Sequence, residues 1–159
     1  MKKVNYIFLT LLLLGITTVT NAQAWTQVGA DIEGQGVEDY SGYCVSLSAD
    51  GSIVAIGSHN AGSSNNGRVR VFQRSAGIWT QVGIDICGEA DDDHFGIGVS
   101  LNYNGTVLAV GAYKNDGAGT NAGHVRIFSQ LASGNWIQKG ADIDGEAAGD
   151  RSGYSVSLS

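Results

Sequence analysis

The residues best suited to chemistry are a histidine and its acidic neighbours. His94 directly follows Asp91, Asp92 and Asp93, and a carboxylate beside an imidazole can orient it as a general base. However, the sequence contains no G-x-S-x-G, H-E-x-x-H or P-loop motif, and no loop typical of an oxyanion hole. We therefore predict no catalytic residue, and we interpret His94 as a surface histidine.

Oxygen-rich loops are the second group of candidates, because calcium takes six to eight oxygen ligands. Loops 48–51 and 102–105 are too short and carry too few carboxylates for such a site. Loop 115–121 could surround a cation with side-chain and backbone oxygens, which makes Asn115, Asp116 and Asn121 the candidate calcium ligands. An Asx-turn loop is the alternative interpretation. We expect no cofactor, with calcium as the alternative.

The two cysteines, Cys44 and Cys87, allow at most one disulfide and do not form a C-x-x-C motif. Cys44 occupies the place that Gly98 and Ser155 take in related segments of the chain. This favours a small packed side chain, and a bridge to Cys87 in an oxidising compartment is the alternative.

The composition favours short strands over helices. Of 159 residues 24 are Gly, none is Pro, and only 15% are charged, whereas about 25% is usual. A hydrophobic share of 43% argues against disorder, and a net charge of −6 argues against nucleic acid as a partner.

The first 24 residues have the features of a secretory signal peptide. Lys2 and Lys3 precede an apolar stretch from Tyr6 to Val19, and Ala22-Gln23-Ala24 is typical of a cleavage site. We predict export to the cell surface or medium, with no transmembrane segment left after cleavage. Cleavage after Ala22, retention as an anchor and a short buried helix are the alternatives.

The rest of the chain, residues 25–159, is an internal repeat. The motif Trp-x-Gln-x-Gly-x-Asp-Ile begins at Trp25, Trp79 and Trp136, and a glycine follows each Trp at a distance of 17 residues. Because an active site needs residues that differ between copies, residues present in every copy are assigned to the scaffold. These are the three Trp, for which interblade packing is predicted and sugar stacking is the alternative, and Asp31, Asp85 and Asp142. Asp39, Asp93 and Asp150 likewise share one position, which predicts a turn-bonding role.

Each copy has the pattern of four short strands. In the second copy they are predicted at about 96–101, 106–111, 124–129 and 136–140, and Asp50-Gly51 and Asn104-Gly105 are hairpin signals. Segment Ile53–Ile56 is apolar on both faces, so both faces of its sheet must be covered. Similar sheets stacked around an axis provide that cover.

We therefore predict an all-β fold, a partial β-propeller of four-stranded antiparallel meander blades. The complete blades span about 41–83 and 95–140. An unpaired fourth strand at Trp25–Gly29 and an unpaired first strand ending at Ser159 flank them. Because propellers need four or more blades, we expect further blades from a longer chain.

Phe95-Gly96 and Gly111-Ala112-Tyr113 make the second copy resemble the FG-GAP repeat, which is found in integrin α-subunits and bacterial surface proteins. The first copy departs from the pattern with Ser41-Gly42 and Gly57-Ser58-His59, and the third with Ser152-Gly153. The resemblance implies a β-propeller used mainly for recognition. The D-x-D-x-D-G loop of the calcium-binding members is absent from this sequence.

The export signal and the loops that vary between copies predict a secreted or cell-surface, non-catalytic scaffold for binding or adhesion. The partner is a protein or a glycan that the sequence does not name. The alternatives are the N-terminal part of a propeller enzyme acting on polysaccharide and a calcium-dependent adhesion module.

Overall fold

The computed structural model describes residues 24–159, so the predicted signal peptide lies outside the described residues except for Ala24. These residues form two antiparallel sheets and no helix. The first sheet contains β1 (Cys44–Leu47), β2 (Ile53–Ser58), β3 (Arg68–Ser75), β4 (Ile78–Gln81) and β5 (Ile86–Cys87). The second contains β6 (Gly98–Leu101), β7 (Val107–Ala112), β8 (His124–Gln130), β9 (Trp136–Gln138) and β10 (Ile143–Asp144). In the part of the chain described, no helix could cross a membrane.

Each sheet is a meander in which neighbouring strands pair in chain order. β1 to β4 pair successively in the first sheet, and β6 to β9 do so in the second. The short strands β5 and β10 pair with β3 and β8, beyond the ends of β4 and β9. The predicted four-stranded blades are thus confirmed, and the fourth strand is longer than predicted because pairing resumes after a bulge.

The repeated motif stabilises that bulge. Gly83, with φ 77°, lies between β4 and β5 and takes a backbone conformation that favours glycine. The Gln81 side chain donates a hydrogen bond to Asp85 at 2.8 Å, and the equivalent Gln138–Asp142 bond is 2.6 Å long. The Gln and Asp of Trp-x-Gln-x-Gly-x-Asp therefore close a loop within each outer strand, which is a scaffold role.

Tight hairpins join the first two strands of each sheet, as predicted. Gly51 and Gly105 have φ of 67° and 71°. Asp50 accepts hydrogen bonds from the Ser48 hydroxyl and from the backbone and hydroxyl of Ser52. The Ser48 hydroxyl, followed by Ser52, lowers the pKa of Asp50 to about 2.

The two sheets stack face to face and share one hydrophobic core. Ile53, Ala55, Val69 and Val71 of the first sheet lie in this core with residues of the second sheet. Those residues are Val99, Leu101, Leu108, Val110 and Phe128. The other face of the first sheet carries Val54, Ile56 and Phe72, covered in part by Ile32 and Trp79. The structure is a partial β-propeller in which successive blades cover one another and the ring is not closed.

The two terminal segments differ from the prediction, because neither forms a strand. Trp25 is fully exposed, and the segment after it contacts the first sheet through the bond from Trp79 Nε1 to the Val28 carbonyl, 3.1 Å. A fourth strand pairs with the third strand of its own blade, and a first strand pairs with the second. No such partner lies beside either segment within residues 24–159, so no ladder forms.

One end of the stack leaves an apolar sheet face open. Val45 and Leu47 of β1 are 57% and 58% exposed, whereas their equivalents Val99 and Leu101 in β6 are each 5% exposed. The difference arises because the first sheet covers the second, and no sheet in the described part of the chain covers the first.

Candidate functional site: an aromatic and histidine cluster

Six ring-bearing side chains meet at one end of the two sheets. They lie just before the first strand of a blade or just after the second, and strand pairing brings these points together. We call them the aromatic end cluster: Tyr40, Tyr43, His59, His94, Tyr113 and Tyr154.

The rings follow one another in contact across the blades. The His59 ring centroid lies 4.4 Å from that of Tyr43 and 5.5 Å from that of His94. His94 lies 5.5 Å from Tyr113, which in turn lies 5.4 Å from Tyr154. The neighbouring Tyr154 phenol raises the pKa of Tyr43 above its ordinary value. The five side chains therefore form a nearly closed circle, which Tyr40 extends at 5.4 Å from His59.

The backbone at this end has the same uncommon conformation in all three copies. Tyr40, His94 and Arg151 occupy equivalent positions, with φ of 53°, 54° and 55°. Residues other than glycine rarely adopt this left-handed region, and such positions cluster at binding and active sites. The scaffold thus fixes the backbone while the side chain changes from copy to copy.

The side chain of Lys114 contacts the cluster. Its Nζ lies 3.1 Å from His94 Nε2 and 5.8 Å from the centre of the Tyr113 ring. Because an ammonium group only donates, His94 Nε2 accepts this bond and the ring is neutral. His94 is only 8% exposed, so the prediction of a surface histidine is wrong. Burial lowers its pKa, and Lys114 lowers it further.

His59 also lies in the neutral state. Burial, followed by the nearby His94, lowers its pKa, and its Nδ1 has no hydrogen-bond partner among the described residues. With both pKa values below 6.5, the two imidazoles are uncharged at pH 7. The imidazoles of the cluster are therefore uncharged, and Lys114 places an ammonium group beside them.

The carboxylates next to His94 in sequence have other partners. Asp93 accepts hydrogen bonds from the Ala90 backbone at 3.1 Å and the Asn115 amide at 3.0 Å. Asp150 accepts the equivalent backbone bond from Ala147, in agreement with the predicted turn-bonding role. The side chain of Asp92 accepts from Asn65. No carboxylate in the described structure accepts a hydrogen bond from the His94 ring, so the arrangement of a carboxylate-oriented base is not formed.

Two side-chain oxygen atoms of the calcium candidates accept hydrogen bonds in turns. Asn115 Oδ1 accepts a hydrogen bond from Gly117 N at 2.8 Å. Asp116 Oδ1 accepts one from Asn121 N at 2.7 Å. Asn121 has a φ of 53°. The loop thus has Asx-turn hydrogen bonding, the alternative given above, while its affinity for calcium stays a prediction.

Among the described residues, one group of potential metal ligands brings together His124 of β8, Glu89 after β5 and Asp142 before β10. The Arg126 guanidinium lies 3.2 Å from Glu89 and 3.8 Å from Asp142. The positive charge beside these two carboxylates is therefore that of Arg126. In the first sheet, Arg68 pairs similarly with Asp39 at 2.7 Å and Asp85 at 3.2 Å, which indicates a scaffold role.

Two of the three tryptophans take the predicted packing positions, whereas the prediction is wrong for Trp25, which is fully exposed. Trp136 packs against the core between the sheets, and Trp79 against the outer face of the first sheet. Cys44 packs beside β6, where Val99 N lies 3.3 Å from its Sγ. Both cysteines are free. Cys44 lies on the first strand and Cys87 on the outermost strand of the same sheet, too far apart for a disulfide.

The sequence interpretation missed the aromatic end cluster, although the copies contain a signal for it. Tyr43 and Tyr154 share a position with Ile97, and His59 shares one with Tyr113. A side chain that varies between copies at equivalent positions is not needed for the blade fold. Such positions therefore indicate a surface that is free to serve another role.

The stacked meanders define the chain as a repeat protein built from β-propeller blades. Residues 88–128 match the family described as FG-GAP repeat. The second copy is therefore an FG-GAP repeat, with the first and third copies aligned to it. No protein in a curated collection matches the chain.

Proposed function

We propose that this chain is an exported, non-catalytic propeller scaffold whose blade ends bind a protein or a glycan at the cell surface or in the medium. The observation that carries the proposal is the aromatic end cluster. Tyr40, Tyr43 and Tyr154 are each more than half exposed, and exposed aromatic side chains are enriched at binding surfaces. The FG-GAP repeat is consistent with such a scaffold.

The contacts of His94 support the non-catalytic part of the proposal. Its Nε2 accepts from Lys114 and its neighbouring carboxylates bond elsewhere, so it lacks the partners of an oriented general base. Export rests on the sequence features of residues 1–24.

Further blades of the same protein are also part of the proposal. The C-terminal segment takes the place of a next first strand, because Leu158 N donates to Ser100 Oγ at 2.9 Å. Leu101 N makes the same bond to Ser46 at 2.9 Å. The open face at Val45 and Leu47 is the surface that a further blade would cover.

The test is a binding survey with the purified full chain. Surface plasmon resonance would measure binding to two panels, one of neutral and acidic polysaccharides and one of matrix proteins such as collagen and fibronectin. The same polysaccharides would be assayed for new reducing ends. We expect saturable binding in at least one panel and no cleavage; failure of both panels, or turnover of a polysaccharide, would contradict the proposal.

A further inference from the structure

We propose that the aromatic end cluster binds the pyranose rings of a neutral oligosaccharide. This inference rests on the proposed binding function and gives it a site and a ligand class. The argument depends on which side chains the fold does not need, on the charge of the cluster and on its size.

The blade does not require tyrosine at positions 43 and 154. The equivalent residue, Ile97, is 7% exposed, whereas Tyr43 and Tyr154 are each 57% exposed. An aliphatic side chain fills this position in the second copy, so the blade fold does not need a phenol there. The exposure of Tyr43, like that of Val45 and Leu47, also arises because no sheet in the described residues covers the first sheet. Exposed rings of this kind offer a flat apolar face with a hydrogen-bonding hydroxyl at the edge.

The charge of the cluster favours a neutral ligand. The pKa of both imidazoles is lowered and that of the Tyr43 phenol is raised, so these rings are uncharged at pH 7. Lys114 already occupies the position beside His94 and Tyr113 where a cation would bind. The net charge of −6 disfavours an anion.

The size of the cluster favours a small ligand. A stable protein interface needs roughly 20–30 residues on each side, and the cluster offers six side chains. A pyranose ring matches it chemically, because its C–H faces pack on aromatic rings while its hydroxyls bond to phenol, imidazole and ammonium groups.

The test is an isothermal titration calorimetry experiment in which the full chain is titrated with cellohexaose, xylohexaose or mannohexaose. The double variant Y43A/Y154A removes the two most exposed rings of the circle, and we expect its affinity to be at least about tenfold lower. Y43F/Y154F keeps the rings and should stay within a fewfold of the original. The matched control is Tyr103→Ala, because Tyr103 is 76% exposed but lies in the β6–β7 hairpin.

Circular dichroism would establish that each variant folds. If the Ala pair does not fold, Y43I/Y154I replaces it, because Ile is the residue of the second copy at this position and also removes both rings. No binding of any neutral hexaose, or binding that neither tyrosine variant alters, would overturn the inference. Binding confined to acidic polysaccharides or to matrix proteins would also overturn it, while leaving the proposed binding function in place. If the chain binds nothing in either panel of the survey, the proposed binding function itself is contradicted.

Discussion

Gly57 faces the carbonyl oxygen of Gly96 so closely that a methyl group on Gly57 would overlap it. Gly111 and Gly153 repeat this contact between the second and third copies. Gly57 and Gly111 begin the Gly-Ala-Pro-like segment, whereas Gly96 and Gly153 belong to the Phe-Gly-like segment. The two landmarks of the repeat are therefore the points at which the backbones of successive copies meet.

Gly57→Ala should destabilise the protein, because a methyl group would force the two sheets apart. We expect a loss of roughly 1–3 kcal/mol, measured as a lower urea midpoint with an unchanged slope. The control is Gly34→Ala, where the added atom would meet Ser41 Cβ at 3.3 Å, a contact that a shift of a few tenths of an ångström relieves, so the loss should be clearly smaller than at Gly57. Equal effects of the two substitutions would contradict the account of this interface.

Acidification should weaken the fold through His59 and His94. Burial lowers the pKa of both, Lys114 lowers that of His94 further, and Asp92 and Asp93 oppose this only in part. The unfolded chain therefore binds protons first. The contribution of the two histidines to the free energy of unfolding should be fully present above pH 6.5, the ordinary pKa of histidine. It should be lost as the pH falls from there through the lower pKa values of the folded state.

Urea unfolding between pH 7.5 and 5.5 would measure this loss. The double variant H59Q/H94Q should show a smaller decrease over the same interval. If the free energy of unfolding of the variant falls with pH as steeply as that of the original chain, other groups cause the pH dependence.

Calcium should bind weakly or not at all at loop 115–121. Asp116 is the one carboxylate of this loop, whereas calcium takes six to eight oxygen ligands. We expect no rise in melting temperature at millimolar calcium, since a bound ligand stabilises the folded state. A rise that Asp116→Asn abolishes would establish the site and reverse this expectation.

The sequence predicts the blades well because each strand pattern recurs in every copy. The predicted strands of the second copy agree closely with β6 to β9, and the Asp-Gly and Asn-Gly hairpins are as expected. Isolated strand patterns were less informative: the segments at Trp25 and before Ser159 have the right residues but no partner within residues 24–159, and strand structure requires a partner.

The candidate site was harder to predict, because its contacts join different copies. His59 and His94 are 35 residues apart in the chain and meet only because the blades stack. Lys114 reaches His94 from 20 residues further along the same copy, so neither the neutral state of that histidine nor its lack of a carboxylate partner could be read from its neighbours in sequence. Proximity in sequence to Asp91, Asp92 and Asp93 suggested a chemistry that the folded structure does not assemble.

The central claim is that successive blades bury one another's apolar faces. Leu47 and Leu101 occupy the same position in consecutive copies, and only Leu101 lies between two sheets. Removing a buried leucine side chain costs roughly 2–5 kcal/mol, whereas an exposed one should cost less than about 0.5 kcal/mol. If Leu101→Ala does not fold, the smaller changes Leu101→Val and Leu47→Val allow the same comparison.

The most direct test is therefore the difference in free energy of unfolding between Leu101→Ala and Leu47→Ala, measured by urea denaturation of the full chain. The account predicts that Leu101→Ala is less stable by at least about 2 kcal/mol. Equal losses at the two positions would contradict stacking of the blades as the source of stability.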